Sequence, residues 1–188
     1  MNKYLNVIAQ PKNLFLTLGR KNFLNWMDDE KYIKIAHRIK LNEKLDLNNP
    51  QTYNQKLQWL KLNYRKSEFT QLVDKYGVRK FVKDRIGEQY LIPLLGVWNQ
   101  VEEIPFDELP NQFVLKATHD SGGLVICKDE NQLDISKAKK KLKRSLKRNN
   151  YRAQREWYYK DVPAKIIAEK FMMDKNTEEL RDYKFFWL

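Results

Sequence analysis

Phe113-Val-Leu-Lys-Ala-Thr-His-Asp-Ser-Gly-Gly-Leu-Val-Ile-Cys-Lys128 is the stretch on which the reading of this chain turns. Two runs of β-favouring residues, Phe113 to Thr118 and Leu124 to Lys128, flank His119-Asp-Ser-Gly-Gly123. That pattern predicts a β-hairpin with a glycine loop. Without side chains, Gly122 and Gly123 let backbone N–H groups approach an anion closely and adopt positive φ, and Ser121 adds a hydroxyl donor. Lys116 shares a strand face with Val114 and Thr118 and lies between apolar Leu115 and Ala117. An ammonium emerging from such a strand needs an anionic partner. Two readings follow: a loop that holds the phosphates of a nucleotide, or an ordinary turn whose lysine reaches solvent.

Upstream of the hairpin the apolar spacing is helical. The region up to Lys44 reads as helix around Leu14, Phe15, Leu18 and Phe23, with a second pattern over Tyr32 to Ile39. Asn48-Asn-Pro50 breaks the chain, and Thr52 is placed to cap the helix that carries Leu57 and Leu60. Phe69 to Ile86 reads as one amphipathic helix stopped by Gly87, and Tyr90 to Val97, interrupted by Pro93, as a short edge strand. Downstream, Asp134 or Ser136 starts a basic helix, and Ile166 to Met172 and Leu180 to Leu188 are strand candidates. The expected class is α+β: a helical N-terminal region over 1–65, then a nucleotide-binding region over 66–188 with an antiparallel sheet and the glycine-loop hairpin.

Composition narrows the classes. Of 188 residues 42% are hydrophobic and 13% aromatic, which supports a folded core and excludes disorder. No run approaches the ~18 apolar residues that span a bilayer, and the first 26 residues lack a secretory pattern. Cys127 is the single cysteine, which precludes an internal disulfide and a thiolate metal cluster. The cytoplasm is the expected compartment, with peripheral contact at the inner face of the membrane as an extension. The formal charge is +12, and ten of the cations lie between Asp134 and Glu156 with no acid among them. Such a block favours a polyanionic neighbour: an acidic polymer, nucleic acid or an anionic membrane face. No helix-turn-helix or aromatic RNA platform accompanies it, so nucleic acid is the less expected partner.

Several motifs beyond the hairpin point the same way. Leu72-Val-Asp-Lys-Tyr-Gly-Val-Arg79, Leu91-Ile-Pro-Leu-Leu-Gly-Val-Trp98, the hairpin itself and Ile167-Ala-Glu-Lys-Phe-Met172 occur in the order found in the ATP-grasp superfamily. With Asn54-Gln-Lys-Leu-Gln-Trp-Leu-Lys-Leu62, Arg155-Glu-Trp157 and Arg181-Asp-Tyr-Lys-Phe-Phe186, the chain most resembles the TupA-like branch of cell-surface polymer and polysaccharide gene clusters. The resemblance covers roughly residues 45 to 186.

It implies that Lys116 binds the α- and β-phosphates of ATP, that Ser121, Gly122 and Gly123 close over them, and that Lys75 and Arg79 line the nucleotide cleft. Glu169, Lys170 and Phe171 would form the hinge beside adenine, and Lys184 joins the nucleotide-binding set. The superfamily activates a carboxylate as an acyl phosphate for attack by an amine, with Mg²⁺ bridging phosphates and carboxylate. The implied acceptor is an acidic or carboxylated cell-surface precursor. Family members carry their metal carboxylates on strands after the Asp-Tyr-Lys-Phe-Phe motif, whereas this sequence ends at Trp187-Leu188. The expectation is therefore an ATP-binding portion of an ATP-dependent ligase whose Mg²⁺ ligands are missing, with no catalytic residue assigned. A non-catalytic remnant, a protein labelled glycosyltransferase from its cluster, and a basic nucleic-acid-binding domain stand as alternatives.

Two of the remaining polar residues have paired readings. His119 is either a phosphate contact or a hydrogen-bonded turn residue, and Asp120 is a turn former or ion-pair partner. His37 and Cys127 read as structural.

Overall fold

The computed structural model describes residues 11–173. These form seven α-helices and a four-stranded antiparallel sheet, an α+β arrangement consistent with a partial ATP-grasp fold. The chain divides into two compact units. One holds the chain up to Val78 together with Arg148–Pro163, and the other holds Arg79–Lys147 and the chain from Ala164 onward.

The first unit begins with helices α1 (Pro11–Arg20) and α2 (Asp29–Leu41). The Asp28 carboxylate accepts from Lys31 N at 2.9 Å to start α2, and Asn42 in the left-handed region (φ 56°) ends it. Tyr32, Ile33, Ala36 and His37 are its buried face, and His37 Nε2 lies 2.9 Å from the Glu43 carboxylate. Helix α3 (Tyr53–Asn63) opens with the Thr52–Gln55 capping box, as the sequence predicts.

The helix expected over Phe69 to Ile86 is instead two, α4 (Glu68–Val73) and α5 (Gly77–Ile86). The cause is Asp74, whose backbone is extended (φ −75°, ψ 115°) and whose carboxylate accepts from Tyr76 N at 2.9 Å. A short acceptor that bonds the backbone two residues on competes with the helix ladder and breaks it. Gly87, at φ 107°, stops α5 as expected.

The second unit is built on the sheet, in the order β1 (Leu94–Trp98), β4 (Ile166–Lys170), β2 (Phe113–Ala117), β3 (Leu124–Cys127). Strands β2 and β3 are the predicted hairpin, with Lys116 opposite Leu124 at its loop end. One sheet face is the core: Leu115, Cys127, Ile166 and Ala168 are buried there beneath Ala138 and Leu142 of helix α6 (Ile135–Leu146). Fully burying a side chain such as Leu142 contributes about 2 kcal/mol. Asp134 caps α6 by accepting from Lys137 N at 2.8 Å. The single basic helix expected over 137 to 155 is also two, because α6 ends at Leu146 and Asn149 caps a separate α7 (Asn150–Gln154) by accepting from Tyr151 N. The strand expected at Leu180 to Leu188 lies outside the described residues.

No described helix is long and apolar enough to cross a membrane.

Candidate functional site

The sheet face opposite the core carries the charges. In β2 the side chains alternate, so Val114 and Lys116 share this face, as do Ile167 and Glu169 of β4, which pair with them in register. Lys116 Nζ lies 2.6 Å from one oxygen of the Glu169 carboxylate. The other oxygen accepts from Arg79 Nη1 at 3.1 Å, and Arg79 Nη2 also donates to Ile92 O at 2.8 Å. The anionic partner that Lys116 requires on sequence grounds is thus a glutamate 53 residues further along the chain. The Glu169 side chain is 8% exposed, against 16% for Arg79 and 27% for Lys116.

Two cations on one carboxylate leave a formal excess of one positive charge on a partly buried face, where an anion is bound more strongly than in bulk water. Beside this cluster, at the β3 edge, Leu124 and Ile126 lie on the same face and are exposed at 38% and 50%. The face therefore joins a cationic centre to an apolar shelf, a combination suited to a ligand with anionic and flat apolar parts.

The glycine loop starts at the end of β2 and has a rigid base. Thr118, His119 and Asp120 are buried, whereas Ser121 and Gly122 at the tip are exposed. Thr118 N donates to Lys165 O at 2.9 Å, and Lys165 N donates back to Thr118 Oγ1 at 3.1 Å. Ser145 Oγ of α6 donates to the buried Asp120 carboxylate at 2.5 Å. Gly123 is buried against the same serine: an added Cβ would fall 1.9 Å from Ser145 Oγ and 2.4 Å from its Cβ. Positive φ was one of the two sequence-based reasons for the glycine pair, and here the structure differs, since among the described residues Gly87 is the glycine that adopts it. Gly123 is required by close packing against α6, and Gly122 leaves the tip without a side chain.

The other predicted residues are dispersed. Lys75 lies half-buried in the turn between α4 and α5, within the first unit. Glu169 and Lys170 have their backbones in the sheet ladder, Lys170 N donating to Pro93 O at 3.0 Å, so Phe171 is the first hinge residue past the paired strand. Lys184 lies outside the described residues. The structure brings together Arg79, Lys116 and Glu169 within the second unit and sets the Ser121–Gly123 tip at the Lys116 end of the hairpin. Asp120 and Ser145, which fix the loop, carry no signature in the sequence beyond the turn-forming character of Asp120.

Arg155 corrects the reading of the basic block. Counted there among surface cations, it is 2% exposed and sits in the left-handed region at φ 54°. Its Nη2 donates to Leu24 O at 2.6 Å, its Nε lies 3.6 Å from the Asp29 carboxylate, and its guanidinium stacks 4.5 Å from the Tyr32 ring centroid. It is a core residue of the first unit. Trp157 packs on Phe69 with ring centroids 6.2 Å apart, so these aromatics serve packing. Cys127 is buried in the core of the second unit, and burial pushes its thiol above the usual range.

Among the described residues, no group of His, Cys, Asp or Glu is placed to hold a metal ion. The one carboxylate on the charged face, Glu169, is already taken by two cations.

The family model described as TupA-like ATPgrasp matches residues 55–188. Neither the curated proteins nor the solved structures contain a significant match to the chain.

Proposed function

The chain belongs to the TupA-like ATP-grasp family, and from that premise we propose that the Arg79–Lys116–Glu169 face and the loop tip beside it bind the phosphates of ATP. The observation that carries the reading is that two cations share one carboxylate at the base of a glycine loop. An arriving phosphate takes Lys116 from Glu169 without stranding the carboxylate, because Arg79 remains bonded to it. The exposed Leu124 and Ile126 offer apolar surface to the rest of the nucleotide. The Ser121–Gly122 tip supplies hydroxyl and backbone donors close to the phosphates, and its base does not have to be ordered on binding.

ATP supplies the phosphoryl group with which proteins of this superfamily activate a carboxylate. We assign the chain to ATP-dependent carboxylate–amine ligation on a carboxylated precursor of a cell-surface polysaccharide or teichuronopeptide-type polymer. The Mg²⁺ that the family uses with ATP has no ligand set among the described residues. Lys116, Arg79 and the loop position the phosphates and neutralise their charge.

A thermal-shift experiment tests the nucleotide site. ATP at about 100 times its Kd adds about 2.7 kcal/mol to stability, a rise of about 5 °C or more in a chain of this size. The rise is expected to fall to about half or less in Lys116→Ala. An unchanged melting temperature in the wild-type protein, or an equal rise in the variant, would overturn the assignment.

A further inference from the structure

Helix α6 has two sides of opposite character. Ala138, Leu142 and Ser145 are buried against the sheet and loop. On the other side, seven Lys or Arg residues lie between positions 137 and 147. At about 100° of turn per residue they cover roughly 200° of the helix circumference, over a length of about 15 Å. Lys143 is paired with Glu102, and the Lys139 ammonium lies 5.5 Å from the centroid of the Phe106 ring. Among the described residues no acid pairs with Lys137, Lys140, Lys141, Arg144 or Lys147. An open groove of about 570 Å³ runs along this side, lined by Ser136, Lys139, Lys140, Lys143, Arg144 and Lys147. Neighbouring cations on one helical face repel within a Debye length of about 8 Å. A surface that only has to be solvated mixes its signs instead.

We propose that the outer face of α6 docks the protein on an anionic membrane surface, its lysines and Arg144 sitting among lipid phosphates. Three observations favour a lipid surface over nucleic acid. Six of the seven cations are lysines, which meet phosphates as point charges and lack the planar fork that reads base edges. No aromatic side chain belongs to α6, and the neighbouring Phe106 ring lies under the Lys139 ammonium, so it offers bases no open platform. Five of the cations of α6, at 137, 140, 143, 144 and 147, fall within about 120° of the helix circumference and so can meet one plane together. The apolar side of α6 is committed to the protein core, so the contact is electrostatic and leaves the helix folded on its sheet. Ile135, exposed at the start of the helix, adds an apolar side chain beside the cations.

Docking also sets the position of the loop. Ser145 on the inner side of α6 holds Asp120 and fills the space beside Gly123. A docked α6 therefore carries the glycine loop at a fixed height above the lipid plane.

The test is flotation of the full chain with vesicles of phosphatidylcholine alone or mixed with phosphatidylglycerol, at about 0.15 M salt. The protein is expected to float only with the anionic vesicles and to be released by higher salt. Each cation at such a surface is worth about fivefold in affinity, so Lys140→Gln/Arg144→Gln/Lys147→Gln weakens binding by roughly 100-fold. These positions are exposed, and an unchanged melting curve for the triple variant confirms that its fold is kept. Lys116→Ala is expected to float like the wild type, which separates this proposal from the nucleotide site. Equal flotation with neutral vesicles, or wild-type affinity in the triple variant, overturns it. So does displacement from anionic vesicles by duplex DNA or RNA at matched phosphate concentration, which would assign the face to nucleic acid.

Discussion

Replacing Glu169 by glutamine removes the charge that Lys116 and Arg79 share while keeping the side chain's size and one acceptor oxygen. In the wild-type chain the carboxylate makes two charge-assisted bonds, at 2.6 and 3.1 Å, on a side chain that is 8% exposed. Lys116 and Arg79 use different oxygens, so glutamine keeps one of the two acceptors and turns its amide donors toward the other cation; one charge-assisted bond, worth about 1.5–3 kcal/mol, is lost. Lys116 and Arg79 both keep some access to water, which holds the total below the about 3–5 kcal/mol of a fully buried broken pair. A loss of about 2 kcal/mol lowers the melting temperature by about 4–8 °C. The same substitution raises the formal charge of the face by one, so polyphosphate binding tightens, by about fivefold for a gain of about 1 kcal/mol. Thermal unfolding with and without ATP reads both effects: a lower starting temperature and a larger ATP-induced rise. An unchanged melting temperature without ATP would refute the role given to the shared carboxylate. A smaller rise with ATP would show that Glu169 holds the nucleotide itself and does not compete with it for the cations.

Three further outcomes are expected. Gly123→Ala costs about 1–3 kcal/mol in urea unfolding through its clash with Ser145, and combining it with Ser145→Gly should reveal a favourable coupling of about 1 kcal/mol or more. Arg155→Met costs about 2–3 kcal/mol by removing the charged donor to the Leu24 carbonyl, with Asp29 still held by Arg65 and the Tyr151 hydroxyl, whereas Arg144→Met on the open face of α6 stays within about 0.5 kcal/mol. Burial pushes the Tyr158 phenol up to about 12. Because the folded protein holds this proton more tightly than the unfolded chain, that stability is complete below pH 10 and is lost as pH rises toward 12; Tyr158→Phe should flatten this alkaline decline in melting temperature and delete the highest step of the tyrosinate absorbance titration.

Short-range chemistry was the legible part of this sequence. The hairpin, the Thr52 cap, the Gly87 stop and the start of α6 at Asp134 each follow from residues within a few positions of one another. What stayed hidden depends on contacts far apart in the chain. Lys116 announces that it needs an anion, but nothing local says that the anion is Glu169, with Arg79 sharing it. The split at Asp74 was written in an Asp ahead of a Gly, yet the apolar spacing of Leu72, Val73, Phe81 and Val82 continues the helical period across it and masks the break. Arg155 reads as one more member of a cationic run; only the fold places it against Tyr32 and Asp29, and Asn149 upstream is the one local sign that α6 does not reach it. Gly123 reads locally as a loop glycine, whereas its packing constraint is the serine of another element. The candidate site was therefore legible in its residue types and obscure in their partnerships.

The most direct test of the central claim is a calorimetric titration of the full chain with ATP, run in parallel on Lys116→Met. The wild-type protein is expected to bind ATP at one site, and the variant, which loses a charge-assisted phosphate contact worth about 1.5–3 kcal/mol, to bind at least about tenfold more weakly. Equal affinity in the two proteins, or no binding by the wild type, would contradict the assignment of this face to the phosphates of a nucleotide.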